Sequence, residues 1–482
     1  MAGLVVAGCG ASAGTARPAP DPVTSIAAST GGAGSRPVDD DPSADPGDGA
    51  TPASVFTYPD PPDTPATDVE NPAAADAIDR IVEGIGNGFF DAGGVTQLAD
   101  VGDARHAWFV ADLLRFFGAD DGPLLVDAVT DLTGTSIRDD PDAARSPWLS
   151  VSNHLIAWDT PAYPGYRVDK AAIFVLVDDT WEQFFDDADS EIDWRTVSWG
   201  GVFADERPLG DAEPCPGGCI PALDDPATVE AVSGNWYPDD RTVFGIVVNG
   251  EALAIPLNVA EVHEMFNLTL GGRRLGIPYC TLCGSAQAYV TDDVAGLDEP
   301  AVLRTSGLLT RSNKVTYELS TGSVIDTFTG RAVSGPLRDA DVVLEEITVV
   351  RSSWGEWKAE HPDTRIVARD GGIGRSYPAD PLGDRDADGP IFPIGEVDPR
   401  LDAQTFVVGV ETVEGGHVAF PSDVAGEVLD SGGPVERDGV ALERSGDGLV
   451  AFDAATGEAL TSHESFWFAW SQFHPDTTLW ER

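Results

Sequence analysis

Thr242–Glu264 reads TVFGIVVNGEALAIPLNVAEVHE. Alternating apolar residues flank Asn249-Gly250, a pair that suits a two-residue hairpin turn because both central positions take positive φ. A short helix carrying His263 and Glu264 is expected to follow. Further on, Thr405–Asp430 reads TFVVGVETVEGGHVAFPSDVAGEVLD and aligns with the first stretch. Each stretch has its own closing segment, SSWGEWKAEHPDT at 352–364 and SFWFAWSQFHPDT at 465–477. These match Trp354 with Trp467, Trp357 with Trp470 and His361 with His474. The predicted fold class is α+β: a small helical N-terminal domain, then two related β-rich units, the second a degenerate copy of the first.

The comparison of the two units separates scaffold from site. The Trp and His residues shared by both closing helices are expected to be structural, His361 and His474 included. Four residues occur only in the first unit: His263, Glu264, Cys280 and Cys283. The two cysteines lie in GGRRLGIPYCTLCGSAQAYV, which reads as a turn and a strand interrupted by the CxxC pair. Three chemistries suit the set. Two thiolates and an imidazole, with Glu264 or water as a fourth ligand, suit a metal, with zinc or copper as candidates. A CxxC pair near a histidine also suits a redox dithiol. The third reading is a structural disulfide that staples a strand end. For the metal reading, His263, Cys280 and Cys283 are expected to converge, with Glu264 close by. Cys215 and Cys219, in CPGGC, receive no role from the sequence.

The charge balance is extreme: 29 basic against 81 acidic residues, a net of −52. Only Lys170, Lys314 and Lys358 are lysines. The acid is spread along the whole chain, the pattern of a halophilic proteome rather than of one interaction tail. No basic stripe exists, which excludes nucleic-acid binding by charge attraction. GxxxxGK[ST] and HExxH motifs are absent. DRDADG at 384–389 opens like a calcium loop but lacks the glutamate that would complete one. Asn267 begins an N-L-T sequon beside the candidate site.

The chain opens MAGLVVAGCGASAG. LVVAGC resembles a lipobox, with Cys9 as the lipidated residue, so residues 1–9 are expected to be the remnant of a lipoprotein signal. Residues 10–71, rich in Ala, Gly, Pro, Ser, Thr and Asp, are expected to be a disordered acidic tether. The implied location is the extracellular face of the membrane, with the lipid as the membrane partner. No protein partner is indicated. Residues 72–200 are expected to form a helical, aromatic-rich domain. Its apolar stripes are Ile78, Ile81, Val82 and Ile85, then Ala107 to Phe117, then Leu124 to Leu132, with Gly134 as a C-cap. The aromatic residues from Trp148 to Trp199 are expected to pack rather than bind. The rest divides into a core domain at 213–370, a linker at 371–400 and the degenerate repeat at 401–482.

The order of motifs from Cys219 to Thr364 resembles a bacterial and archaeal family, domain of unknown function 3179. The residues that carry the resemblance are IPAL at 220–223, the NGEA hairpin, the His-Glu pair, YCTLCGSA, SGLL at 306–309, the TGS and GPL turns, and the closing W-x-x-W-x-x-x-HPDT. Thr281 stands where that family usually has Pro, and Val324 where Trp is common. The resemblance implies a shared fold and no particular activity.

At about 1 M salt the Debye length falls to ~3 Å, and self-repulsion at this net charge is largely screened. The thermal midpoint is therefore expected to fall as salt is lowered from molar to 0.1 M. A midpoint that does not move would refute the reading.

Overall fold

In the computed structural model, the described residues are 56–482, except 141, 142, 144, 216, 384, 386 and 388. Cys9, residues 10–55 of the expected tether and the three aspartates of DRDADG lie outside them; residues 56–71 of that tether pack on the fold instead, with Trp158 Nε1 donating to Pro59 O at 2.7 Å and Arg105 Nη1 to Thr67 O at 2.8 Å.

The helical layer starts at Pro72–Gly86, where the Asn71 side chain accepts the Ala73 amide and Pro72 takes a position that needs no amide donor. Its buried stripe is Ala74, Ala77, Ile78 and Ile81. Ala92–Ala99 follows, capped by Asp91 onto the Gly94 amide. The second and third sequence stripes turn out to be one helix, Ala107–Thr133, running through Pro123 and stopping at Gly134 with φ +70. Pro147–Ala157 and Tyr166–Phe174 complete the layer. The aromatic residues of this region pack, as expected: Trp181, Phe184 and Phe174 are buried, and Trp181 Nε1 donates to Ser306 O at 2.7 Å.

Behind the helices lie five small sheets in a propeller-like arrangement. The first has the strand order Val197–Trp199, Leu303–Thr310, Asn313–Glu318 and Val324–Asp326. Leu308, Val315, Tyr317 and Val324 from it share one hydrophobic core with the helices. The helical region also lends this sheet its edge strand, with Val197 opposite Thr310.

The hairpin expected at Asn249-Gly250 is present. Thr242–Val248 pairs with Glu251–Pro256, and the two turn residues have φ +48 and +85. Val350–Ser353 flanks it antiparallel and Arg365–Val367 flanks it parallel. The C-terminal hairpin, Phe406–Glu411 with His417–Pro421, has the same flanks: Ser462–Phe466 antiparallel and Thr478–Leu479 parallel. The closing helices, Trp354–Glu360 and Trp467–Phe473, also correspond. Trp357 Nε1 donates to Thr364 Oγ1 at 3.0 Å, and Trp470 Nε1 to Thr477 Oγ1 at 2.9 Å. Each ring lies on a glycine of its hairpin. A Cβ on Gly245 would meet the Trp357 ring at 2.4 Å, and one on Gly409 the Trp470 ring at 2.1 Å.

The segment 371–400 is a packed strap in its described parts. Ile373 and Tyr377 lie against the central core, and Asn153 Oδ1 accepts the amides of Ile394 and Gly395 at 2.8 and 2.9 Å.

Gly409→Ala places a methyl inside the Trp470 ring contact, and overpacking of this kind costs about 1–3 kcal/mol. The denaturant midpoint of the full chain is expected to fall accordingly, while Gly416→Ala, at an exposed glycine with neither a positive φ nor a ring against it, serves as the control. Equal effects would mean that the ring contact adds nothing.

Candidate functional site

The strand Arg273–Cys280 ends in a tight turn, with Gly284 at φ +64. Cys280 and Cys283 are paired across it, their Cα atoms 5.5 Å apart. They are 2% and 1% exposed and lie with Phe328, Val407, Trp467 and Phe468. The C-terminal sheet rests on this turn: Phe466 donates its amide to Cys283 O at 2.8 Å, and the Phe406 ring leaves no room for a side chain at Gly284. The pair closes this one turn, sealed beneath the C-terminal sheet.

Glu264 follows the helix Leu257–His263 with φ +51. Its carboxylate is already engaged. Lys314 Nζ reaches Oε2 at 2.7 Å and the Glu264 carbonyl at 2.9 Å, and Thr281 Oγ1 donates to Oε1 at 3.0 Å. Burial pulls the Lys314 pKa down, and the Glu264 charge opposes that pull. Thr281, a departure from the family pattern, thus works as a donor to this pair.

His263 points elsewhere. Its Nδ1 lies 2.7 Å from Pro221 O, which can only accept, so Nδ1 carries the proton. Nε2 then accepts from Tyr377 Oη at 2.8 Å. Burial lowers its pKa to about 4, helped by the Arg375 and Arg207 charges and opposed by the Pro221 carbonyl, so the ring is neutral at pH 7. The expected convergence of His263 with Cys280 and Cys283 is therefore not what the structure has. The left-handed residue at Glu264 reverses the chain just after the helix. The following strand, Met265–Leu270, starts opposite Pro278 and runs away from the cysteines, while His263 is held by Pro221 and Tyr377.

His263 instead lines a cleft of about 440 Å³ together with Cys215, Cys219, Arg207, Asp224 and Arg375. Cys215 and Cys219 are paired, with Cα atoms 5.4 Å apart, and both are partly exposed. Asp205 lies behind them, shielded from water. Its carboxylate takes Arg207 Nε at 2.7 Å and Nη2 at 2.8 Å, and the Ala222 amide at 2.8 Å. Among the described residues, the one group of three His, Cys, Asp or Glu residues able to hold a metal is Asp205, Cys215 and Cys219, with ligand atoms within 4.8 Å of one another. Sequence reasoning passed over Asp205, Arg207 and Tyr377. The available signal was CPGGC itself, whose short loop keeps two sulfurs together. Asn267 is 1% exposed and bonds Leu303 N, Leu303 O and Asp224, so a folded chain has no room for a glycan there.

Fold and cleft together define a mixed helical and β-sheet protein with one sealed and one cleft-lining cysteine pair. Residues 217–436, just under half the chain, match the family described as Protein of unknown function (DUF3179). No curated protein and no solved structure matches the chain.

The His263 pKa is depressed on folding, so the folded state binds fewer protons than the unfolded state between pH 6.5 and about 4. Its contribution is full above pH 6.5 and is lost as pH falls through that window. Relative to His263→Asn, which keeps a donor for Pro221 O, the wild type is expected to lose up to ~3 kcal/mol over this range. Parallel stability-against-pH curves for the two would count against the assignment.

Proposed function

We propose that this chain is a membrane-tethered, extracellular protein whose working chemistry is a thiol–disulfide couple at Cys215–Cys219. The contrast between the two cysteine pairs carries the reading: one is sealed under tryptophans, the other lines a cleft with a neutral histidine and two arginines. A dithiol partner would supply the electrons. Its thiolate attacks one sulfur of the Cys215–Cys219 bond, the other sulfur leaves as thiolate, and the partner's second thiolate resolves the mixed disulfide. The chain gains two electrons and two protons, and the partner becomes a disulfide. Arg375 favours the thiolate form on the cleft wall, while the charge of Arg207 is already taken up by Asp205. The lipobox-like LVVAGC and the composition after Cys9 support the tether, and the net of −52 supports a salt-rich setting. The matching order of strands and tryptophan bonds in the two hairpin sheets supports descent from one duplicated unit.

The Asp205 geometry favours a second reading. Once reduced, the two sulfurs and the carboxylate offer a donor set suited to zinc or copper. Asp205 can serve a cation there only by giving up part of its bond to Arg207.

The test is thiol alkylation of the folded chain in molar salt after graded dithiothreitol, with peptide mass spectrometry to assign the sites. Cys215 and Cys219 are expected to label at reductant levels that leave Cys280 and Cys283 unlabelled. Equal labelling of both pairs, or labelling of 215 and 219 only on unfolding, overturns the redox reading. In the same preparation the wild type is expected to sediment with membranes and Cys9→Ser to be released. Equal release of both removes the anchor.

A further inference from the structure

The helical layer buries a lysine among aromatic rings. Lys170, on the helix Tyr166–Phe174, and Asp112, on the helix Ala107–Thr133, are 1% and 7% exposed. Lys170 Nζ lies 2.7 Å from Asp112 Oδ1 and 3.1 Å from Tyr166 Oη, and Tyr166 Oη donates to Asp112 Oδ2 at 2.9 Å. The three groups close a ring of hydrogen bonds. The Phe174 and Tyr166 ring centroids lie 4.8 and 5.3 Å from Nζ. Asp193 is the other charge that acts on Lys170, and it is itself paired with Arg195 at 2.8 Å.

The choice of lysine matters in this chain. Only three lysines occur, and buried ion pairs such as Arg105–Asp103, Arg207–Asp205 and Arg304–Asp224 use arginine. A guanidinium keeps its proton in any protein, whereas a buried ammonium can give one up and become a nucleophile. Burial pulls the Lys170 pKa down and pushes the Asp112 pKa up, each opposed by the charge of the other. Both shifts favour an amine beside a carboxylic acid. In water these groups ionise and do not condense. Here ionisation is penalised, water is kept out and the reactants are held in contact, and well-oriented intramolecular partners reach effective molarities of about 10⁵–10⁸ M. Lys314 supplies the contrast. It meets Glu264 at the same 2.7 Å, but Thr281 bonds the carboxylate alone, and no third side chain among the described residues bonds both partners.

We propose that Lys170 and Asp112 become joined by an isopeptide bond that ties the two helices covalently. The contact described is that of the pair before condensation. Lys170 Nζ attacks Asp112 Cγ, and the Tyr166 hydroxyl on Oδ2 stabilises the oxygen that gains negative charge. Tyr166 Oη also accepts from Nζ and so orients the amine. The Nζ–Cγ bond forms and the Cγ–Oδ1 bond breaks. Oδ1 leaves as water, carrying the carboxyl proton and one proton from the amine, and Oδ2 remains as the amide oxygen. Tyr166 stays a phenol throughout, since burial and the Asp112 charge hold its pKa well above the ordinary value. The step needs no oxidant, reductant or cofactor, and it is independent of the cysteine chemistry.

The test is tryptic peptide mass spectrometry of the full chain, reduced, alkylated and denatured before digestion. Trypsin cuts after Lys170 only when its amine is free, and a free pair then gives 106–115 and 171–195 as separate peptides. The expected result is one species instead, 106–115 joined to 168–195 and lighter than their sum by one water, with fragment ions placing the bond at Asp112 and Lys170. Lys170→Arg is expected to give unjoined peptides. Tyr166→Phe, which keeps the ring and removes the hydroxyl, is expected to retain the helical circular dichroism and to show at least tenfold less of the joined species. Lys314 is expected to be cut. Unjoined 106–115 as the main form from folded wild type overturns the proposal. Joining at the wild-type level in Tyr166→Phe, or a joined Lys314–Glu264 peptide, overturns the role given to the shared hydroxyl.

Discussion

Asp205 is shielded from water and joins the loop that carries the cleft cysteines to the first sheet. Its carboxylate pairs with Arg207 and lies 3.8 Å from Arg304 Nε, on the first sheet, while its own amide and carbonyl bond Thr305 O and Tyr317 Oη. Arg304, itself fully buried, reaches on to Asp224 at 2.7 Å, next to the central sheet. Removing one partner of such a network leaves a buried charge uncompensated, which typically costs 3–5 kcal/mol. The network ties the Cys215–Cys219 loop to two sheets at once. A chain with so much exposed acid still spends its few arginines on interior carboxylates.

The neutrality of His263 depends on the same neighbourhood. Arg207 and Arg375 repel a proton from the ring, and Pro221 and Tyr377 hold its two nitrogens in one tautomer. Tyr377 itself comes from the strap at 371–400. The strap therefore fixes the tautomer of a histidine that lines the cleft.

Local patterns in the sequence were legible because local physics decides them. The hairpin at Asn249-Gly250 needs two positive φ angles, and the helix end at Gly134 needs one, so residue type announces both. The glycine–tryptophan contacts were visible only as matched tryptophans, since the glycines at 245 and 409 look like ordinary strand residues. The candidate site was half legible. The cysteine pairs could be found by spacing, but the direction of His263 could not. It is decided by one left-handed residue, Glu264, and by Lys314, fifty residues away in sequence. Asp205 and Arg304 are farther apart still, and nothing short-range links them. The second and third helical stripes are separated in sequence by GADDGP at 118–123, which has no stripe of its own, and one helix runs through it.

The parallel flank of the central hairpin has a consequence for how the chain is made. The strand Glu251–Pro256 keeps a bare edge until Arg365–Val367 has been synthesised and folded back beside it. A long-lived open edge beside apolar strands invites pairing with another chain. The last strand of the unit to be made is thus the one that closes its most exposed edge.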